Sequence, residues 1–97
     1  MSNFTEKYKD IIIPIVTKYL PHSKIILYGS RARGDFKEGA DIDVALDCHH
    51  VIDALIFSKI VGDLEESNLP INFDIVDFWN VSTKLQKEIC KDGVIWK

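Results

Sequence analysis

The sequence predicts an α+β fold in which a small mixed β-sheet carries helices packed on one face. Segments with helical spacing of apolar residues are interspersed with short β-branched runs, in the order helix, strand, strand, helix, strand, helix. The chain has 97 residues, of which 46% are hydrophobic and 28% charged. A chain of this size builds one core and has no material for a second. We therefore expect residues 1–97 to form a single domain.

The first predicted element is an amphipathic helix that ends at Pro21. Pro14 lies off its apolar stripe, and the stripe continues in register beyond this proline. We therefore expect Pro14 to kink the helix without ending it. Apolar residues recur every three or four positions along this stripe: Phe4, Tyr8, Ile11, Ile12, Ile15, Val16, Tyr19 and Leu20.

Three short runs predict the strands. KIILY is a β-branched run, and a polar loop from Gly29 to Ala40 separates it from the next. DIDVAL alternates, so that its apolar residues face the core while Asp41 and Asp43 face the opposite side. INFDIVDF places Asp74 on the side away from the core by the same alternation.

Two further helices and an edge strand complete the predicted domain. Residues 50–66 recover a helical period, and a shorter helix is expected over 81–91. Asn80 or Ser82 is the expected cap of this last helix, and Gly93 its stop. The final VIWK is suited to an additional edge strand.

The composition excludes several classes of protein. The longest apolar runs are too short to cross a bilayer, and the N-terminus lacks the pattern of a signal segment. We expect a soluble cytoplasmic protein with no membrane partner. The formal net charge of −3 argues against direct nucleic-acid binding through a broad grip on phosphates. A nucleoside triphosphate carried in with magnesium is compatible, because the metal supplies positive charge.

The two aspartates of DIDVAL suggest a metal site. Side chains at i and i+2 of a strand point to the same side, with Cα atoms about 6.5–7 Å apart. Asp41 and Asp43 can therefore reach one cation or bracket two, and Asp74 can complete a cluster of three carboxylates. Oxygen ligands alone favour Mg²⁺ or Mn²⁺ over Zn²⁺. The alternative is solvated charge, or ion pairs with nearby basic residues.

The Gly29-Ser30 pair suggests a phosphate site where the first strand ends. Gly29 lets the backbone approach a ligand, and Ser30 offers a hydroxyl and an amide to a phosphate oxygen. Arg31 and Arg33 are candidates for further phosphate contacts, with a solvated loop position as the alternative for each. Phosphates beside carboxylate-bound metal indicate phosphoryl or nucleotidyl transfer.

These motifs resemble a known family. Gly29-Ser30, ten intervening residues and Asp41-Ile42-Asp43 resemble the GSx10DxD spacing of the polymerase-beta-like nucleotidyltransferase superfamily, especially its minimal (MNT) members. Asp74 falls where that family places its third acidic residue. Ala40 departs from the serine that many members carry. The resemblance implies the polymerase-beta-like nucleotidyltransferase fold, with residues 1–97 as a single minimal nucleotidyltransferase domain.

The resemblance also implies site roles. Asp41, Asp43 and Asp74 would be the catalytic residues and the ligands of two magnesium ions. Asp74 would complete the metal near the attacking hydroxyl and accept its proton. Gly29 and Ser30 would hold the triphosphate of ATP, the expected substrate.

The minimal members resemble the antitoxins of HEPN/MNT toxin–antitoxin pairs. That likeness implies transfer of AMP from ATP to a tyrosine of a small helical HEPN-domain toxin. Two alternatives remain open: an antitoxin that neutralises its partner by contact with little turnover, and a transferase that adds nucleotides to an RNA end.

Overall fold

A computed structural model describes residues 5–97 and confirms the predicted fold class. Phe4, which the predicted first helix includes, lies outside these residues. The polar loop after the first strand differs from expectation, because its first five residues form a short helix. The elements are α1 (Thr5–Tyr19), β1 (Lys24–Tyr28), α2 (Gly29–Arg33), β2 (Ile42–Asp47), α3 (Ala54–Glu66), β3 (Phe73–Asp77), a 3₁₀ helix (Phe78–Asn80), α4 (Thr83–Asp92) and β4 (Val94–Ile95).

The four strands form one mixed sheet in the order β3-β2-β1-β4. β1 is antiparallel to both β2 and β4, whereas β2 and β3 are parallel. A parallel pair needs a crossover connection, and α3 supplies it. Between residues 5 and 97, no helix combines the length and the apolar character needed to cross a bilayer.

The main core lies between one face of the sheet and helices α1 and α3. The opposite face carries a smaller apolar cluster that includes Tyr28, Ala45 and Ile89. Helix α4 therefore packs on the second face, in contrast to the expectation that helices cover only one. The reason is that β1 and β3 also present apolar side chains on that face, at Ile26 and Val76, which need cover.

Polar side chains fix where the last two long helices begin. Asp53 caps α3 by accepting hydrogen bonds from the backbone N–H groups of Leu55, at 2.9 Å, and Ile56, at 3.2 Å. This cap places the start of α3 later than the sequence pattern predicts. Ser82 caps α4 and Gly93 follows its last residue, as predicted.

Asp77 has a structural role at the end of β3. Its side chain is only 8% exposed and accepts hydrogen bonds from the N–H groups of Ile52, at 2.8 Å, and Trp79, at 3.1 Å. The carboxylate thereby joins the segment before α3 to the 3₁₀ helix. A carboxylate that accepts two backbone N–H groups in a buried setting is well satisfied.

We predict that Asp77→Ala lowers the free energy of unfolding by about 1–3 kcal/mol, because the substitution leaves the buried N–H of Ile52 without its acceptor. Urea denaturation measures this change. Asp10→Ala, on the exposed side of α1, is the matched control and should change stability by less than about 0.5 kcal/mol. Equal losses for the two variants would contradict the assigned role.

Candidate active site

The pairing of β2 with β3 brings the three predicted aspartates together. Asp43 and Asp74 are direct partners in the parallel register, on strands about 4.8 Å apart. Both lie on the face opposite the main core. Asp41 immediately precedes β2 and acts electrostatically on Asp43 together with Asp74. Asp43 and Asp74 are therefore neighbours in the sheet, and Asp41 lies near enough to act on Asp43. Their joint binding of a metal stays a prediction.

Asp43 is the most perturbed member of this cluster. Its side chain is half-buried, whereas Asp41 and Asp74 are exposed. Burial raises the pKa of the Asp43 carboxyl, and the negative charges of Asp74 and Asp41 raise it further. The guanidinium of Arg33 acts in the opposite direction. The negative charge of the three aspartates therefore exceeds the positive charge that Arg33 supplies nearby.

Gly29 stands directly against Asp43. Its φ angle is +75°, and a Cβ at this position would lie 2.5 Å from Oδ2 of Asp43. Both the backbone conformation and the space therefore require glycine. The sequence predicted that the backbone at Gly29 would approach a ligand closely. In the structure, this backbone lies against the carboxylate of Asp43. Ser30 follows in the first turn of α2 and is half-buried.

Arg33 lies on the exposed side of the cluster. Its guanidinium pairs with Asp35, with Nε to Oδ2 at 3.2 Å, and with Asp92, with Nη1 to Oδ2 at 3.6 Å. The hydrogen bond that Arg33 donates to the Asp35 carboxylate is the main cause of a raised pKa at Arg33. Both ion pairs are solvent-accessible and hence weak, so the guanidinium can turn toward a phosphate near Asp43.

Arg31 does not face the carboxylates. It is 7% exposed, and its guanidinium donates to the carbonyl of Ala40 at 3.0 Å and to Oγ1 of Thr5 at 2.9 Å. The ring of Phe36 lies 4.6 Å from the guanidinium carbon. This location differs from that expected of a phosphate ligand. Arg31 instead ties the residue just before Asp41 to the start of α1.

Tyr28 is the remaining side chain that the register places beside the cluster, opposite Asp43 on β1. Burial raises the pKa of Tyr28 to about 12, and the charges of Asp43, Asp74 and Glu88 add to the shift. Its phenol is therefore protonated near neutral pH. The side chain is only 8% exposed. Strand pairing sets the position of Tyr28 beside Asp43, and no local sequence motif predicts that pairing.

The donor set suits a hard divalent cation. Among the described residues, no group of three or more His, Cys, Asp or Glu side chains is arranged so that it could hold a metal ion. Mg²⁺ is commonly held by only one or two carboxylates, with substrate phosphates and water as its other ligands. Burial first, and then the charges of Asp74 and Asp41, raise the pKa of Asp43, and a cation near these carboxylate oxygens would offset that negative charge.

A groove of about 560 Å³ opens beside two of the three aspartates, between α3 and β3. We refer to it as the β3 groove. Glu65 could not be predicted as part of this groove, because an exposed acidic residue near a helix end carries no motif signal. The groove is lined by apolar side chains and by three carboxylates: Val61, Leu69, Ile71, Asp41, Glu65 and Asp74.

We predict that Gly34→Ala destabilises the fold by about 1–2 kcal/mol, because it forces alanine into positive φ, and that Gly29→Ala costs more, because its Cβ also meets Asp43. Only Gly29→Ala should displace the Asp43 carboxylate, because a Cβ at Gly34 meets nothing within 4 Å. Carboxyl ¹³C NMR should therefore show an altered Asp43 signal in Gly29→Ala alone. Identical Asp43 signals in the two variants would refute the close contact.

We predict that Asp43→Asn stabilises the protein at pH 7. A carboxyl whose folded pKa is raised loses its proton more readily in the unfolded chain, so stability falls as pH rises from the ordinary Asp pKa through the folded value. The gain should be below about 1 kcal/mol, because solvent screens a half-buried group. It should disappear at low pH, where wild-type Asp43 is protonated. Urea denaturation across pH, with Asp10→Asn as the control, tests the sign.

Comparison with curated proteins identifies a relative in Haemophilus influenzae, named "Probable protein adenylyltransferase MntA". It is 27% identical to this chain over 85 residues, which is 88% of this chain and 75% of the relative. The match therefore extends over most of both proteins.

Two solved structures share the fold. One is a toxin–antitoxin with AMP-PNP, matched with a TM-score of 0.76 and 26% identity over 92% of this chain and 72% of that chain. The other contains a tri-AMPylated HEPN toxin of Shewanella oneidensis in complex with its MNT antitoxin. It matches with a TM-score of 0.72 and 24% identity over 95% of this chain and 71% of that chain.

The family described as "Polymerase beta, Nucleotidyltransferase" matches residues 10–96, a range that includes the Gly29-Ser30 turn and all three aspartates. The resemblance stated from the sequence motifs is thereby confirmed. This chain belongs to the polymerase beta nucleotidyltransferase family.

Proposed function

We propose that this protein is a magnesium-dependent nucleotidyltransferase that moves AMP from ATP to a tyrosine hydroxyl of a HEPN-type toxin and thereby acts as its antitoxin. The observation that carries the proposal is the register of β2 and β3, which sets Asp43 beside Asp74 with Asp41 next to both. A purely structural role gives no reason to hold like charges so close together.

Two magnesium ions, or manganese in their place, would be held by Asp41, Asp43 and Asp74. When bound, the metal lowers the pKa of the attacking hydroxyl and stabilises charge on the leaving group. The excess negative charge around the half-buried Asp43 supports this assignment. ATP phosphates and water would supply the remaining ligands.

The triphosphate of ATP would lie over the Gly29-Ser30 turn. Gly29 has no Cβ, so its backbone lies close to Asp43, and Ser30 offers a hydroxyl and an N–H to a phosphate. Arg33 would exchange its exposed pairs with Asp35 and Asp92 for a phosphate contact. Arg31, whose guanidinium is buried, would position the segment before Asp41 instead of touching the nucleotide.

In the transfer step, the acceptor hydroxyl oxygen forms a bond to the α-phosphorus of ATP. The bond from this phosphorus to the oxygen that bridges it to the β-phosphorus breaks, and pyrophosphate leaves. Asp74 is exposed on the outermost strand of the sheet and is free to take the hydroxyl proton. The product is an AMP ester of the acceptor.

The named activity of the H. influenzae relative supports the choice of AMP and of a protein acceptor. The two toxin–antitoxin structures support ATP as the nucleotide and a HEPN toxin as the partner. We place the reaction in the cytoplasm, where ATP and magnesium are available. We also assign it to residues 1–97 acting as one minimal nucleotidyltransferase domain.

We predict that Asp41→Asn combined with Asp43→Asn lowers AMP transfer by about 100-fold or more, the scale of losing a charge contact in a catalytic site. The measurement is transfer of label from α-³²P-ATP, with magnesium, to the HEPN-type partner. Asp47→Asn, at the far end of β2, is the matched control and should retain transfer.

The same variants separate the alternatives. Calorimetric titration of the double variant with its partner should still show complex formation, while toxin neutralisation is lost. Neutralisation that survives the double substitution would instead favour an antitoxin acting by contact. Label that appears on an RNA oligonucleotide in preference to the partner protein would favour the RNA-end transferase.

A further inference from the structure

We propose that the β3 groove binds an extended polypeptide segment of the acceptor protein. The segment would add as a strand to the outer edge of β3, with its hydroxyl residue beside Asp41 and Asp74 and a basic side chain near Glu65. The inference rests on the proposed AMP transfer to a protein and specifies how that acceptor is recognised.

The three aspartates lie on two different sides of the site, each of which a ligand could enter. Asp43 lies against the backbone of Gly29, on the side assigned to the triphosphate. Asp41 and Asp74 line the β3 groove, and Asp43 does not. An acceptor in the groove would therefore reach the α-phosphorus without crossing the space taken by the other phosphates. Such separate entry is what displacement at phosphorus requires of attacking and leaving groups.

β3 also offers backbone groups for pairing. It lies at one end of the sheet, and within residues 5–97 its one strand partner is β2. The carbonyl of Asn72 accepts from the N–H of Ile42 at 3.0 Å, so alternation turns the N–H and C=O groups of Phe73 and Ile75 away from β2. Both of these residues line the groove. An extended peptide commonly adds to such an edge through its main chain.

The charge of the groove determines the kind of segment. Glu65 lies in the last turn of α3, where the helix dipole disfavours an anion and no basic residue is present. Within residues 5–97, no cationic side chain lies within ion-pair distance of Glu65. Asp41 and Asp74 add charge of the same sign. A lysine or arginine of the acceptor segment would be the complement.

The other edge of the sheet provides a comparison within the same molecule. β4 contains only Val94 and Ile95, pairs with β1, and lies at the end of the sheet remote from β3. It presents apolar side chains that are 43% and 63% exposed, without an acidic group. If the partner bound to any exposed strand edge, it would bind to β4 as well as to β3. Of these two edge strands, only β3 lies beside the aspartates of the candidate site.

The first test is the kinetics of Glu65→Lys compared with Glu66→Lys. The two substitutions change charge equally on neighbouring exposed residues, but only Glu65 lines the groove. We expect Glu65→Lys to raise the KM for the HEPN-type protein about tenfold, since like charges would then face each other, and to leave the KM for ATP unchanged. Equal effects of the two substitutions, or an equal rise in both KM values, would overturn the proposal.

The second test does not require turnover, so it separates failure of this inference from failure of the proposed activity. Amide hydrogen exchange is followed by NMR in the complex with the HEPN-type protein, without ATP. We expect new protection at Phe73 and Ile75 and none at Val94 and Ile95. Wild-type protein that transfers no AMP but shows this protection would refute the activity and retain the groove. Unchanged exchange at β3 in a stable complex would refute the groove.

Discussion

The parallel register of β2 and β3 holds two carboxylates side by side, and the remainder of the fold has to offset their repulsion. The opposite face of β2 does so, because Ile42 and Val44 are fully buried. Burying one such side chain contributes about 1.5–3 kcal/mol. Each of the two strands thus stabilises the sheet through buried apolar side chains on one face and carries mutually repelling carboxylates on the other. The two carboxylates stay adjacent because the apolar core holds the strands together more strongly than the repulsion between the carboxylates pushes them apart.

Two sets of aspartates differ in the groups they face. Asp53 and Asp77 accept backbone N–H groups at the ends of elements and so stabilise the fold. Asp43 instead faces the negative charges of Asp74 and Asp41, next to the backbone of Gly29. The functional group is the same, but the charge of Asp43 is opposed by its neighbours. A cation bound there, as proposed, would offset this repulsion.

Much of the site was predictable because its signals are local. The alternation around Asp43 and the strand that carries Asp74 follow from periodicity, and the spacing from Gly29-Ser30 to Asp41 resembles that of a known family. The burial of Arg31 was not predictable, because it depends on Thr5 and Phe36 meeting it in space. The placement of α4 on the second face likewise depends on cover for apolar residues from several strands. Lateral pairing is a property of the assembled sheet, so no single segment reports it.

The crossover through α3 also determines when the site can form. β1 and β2 are neighbours in sequence and can pair as soon as both have left the ribosome, but Asp74 reaches Asp43 only after α3 has folded back across the sheet. A nascent or truncated chain that ends before β3 therefore has the Gly-Ser turn and two aspartates but no third one. The proposed site is therefore assembled only with this long-range closure of the chain through α3, not with the local pairing of β1 and β2.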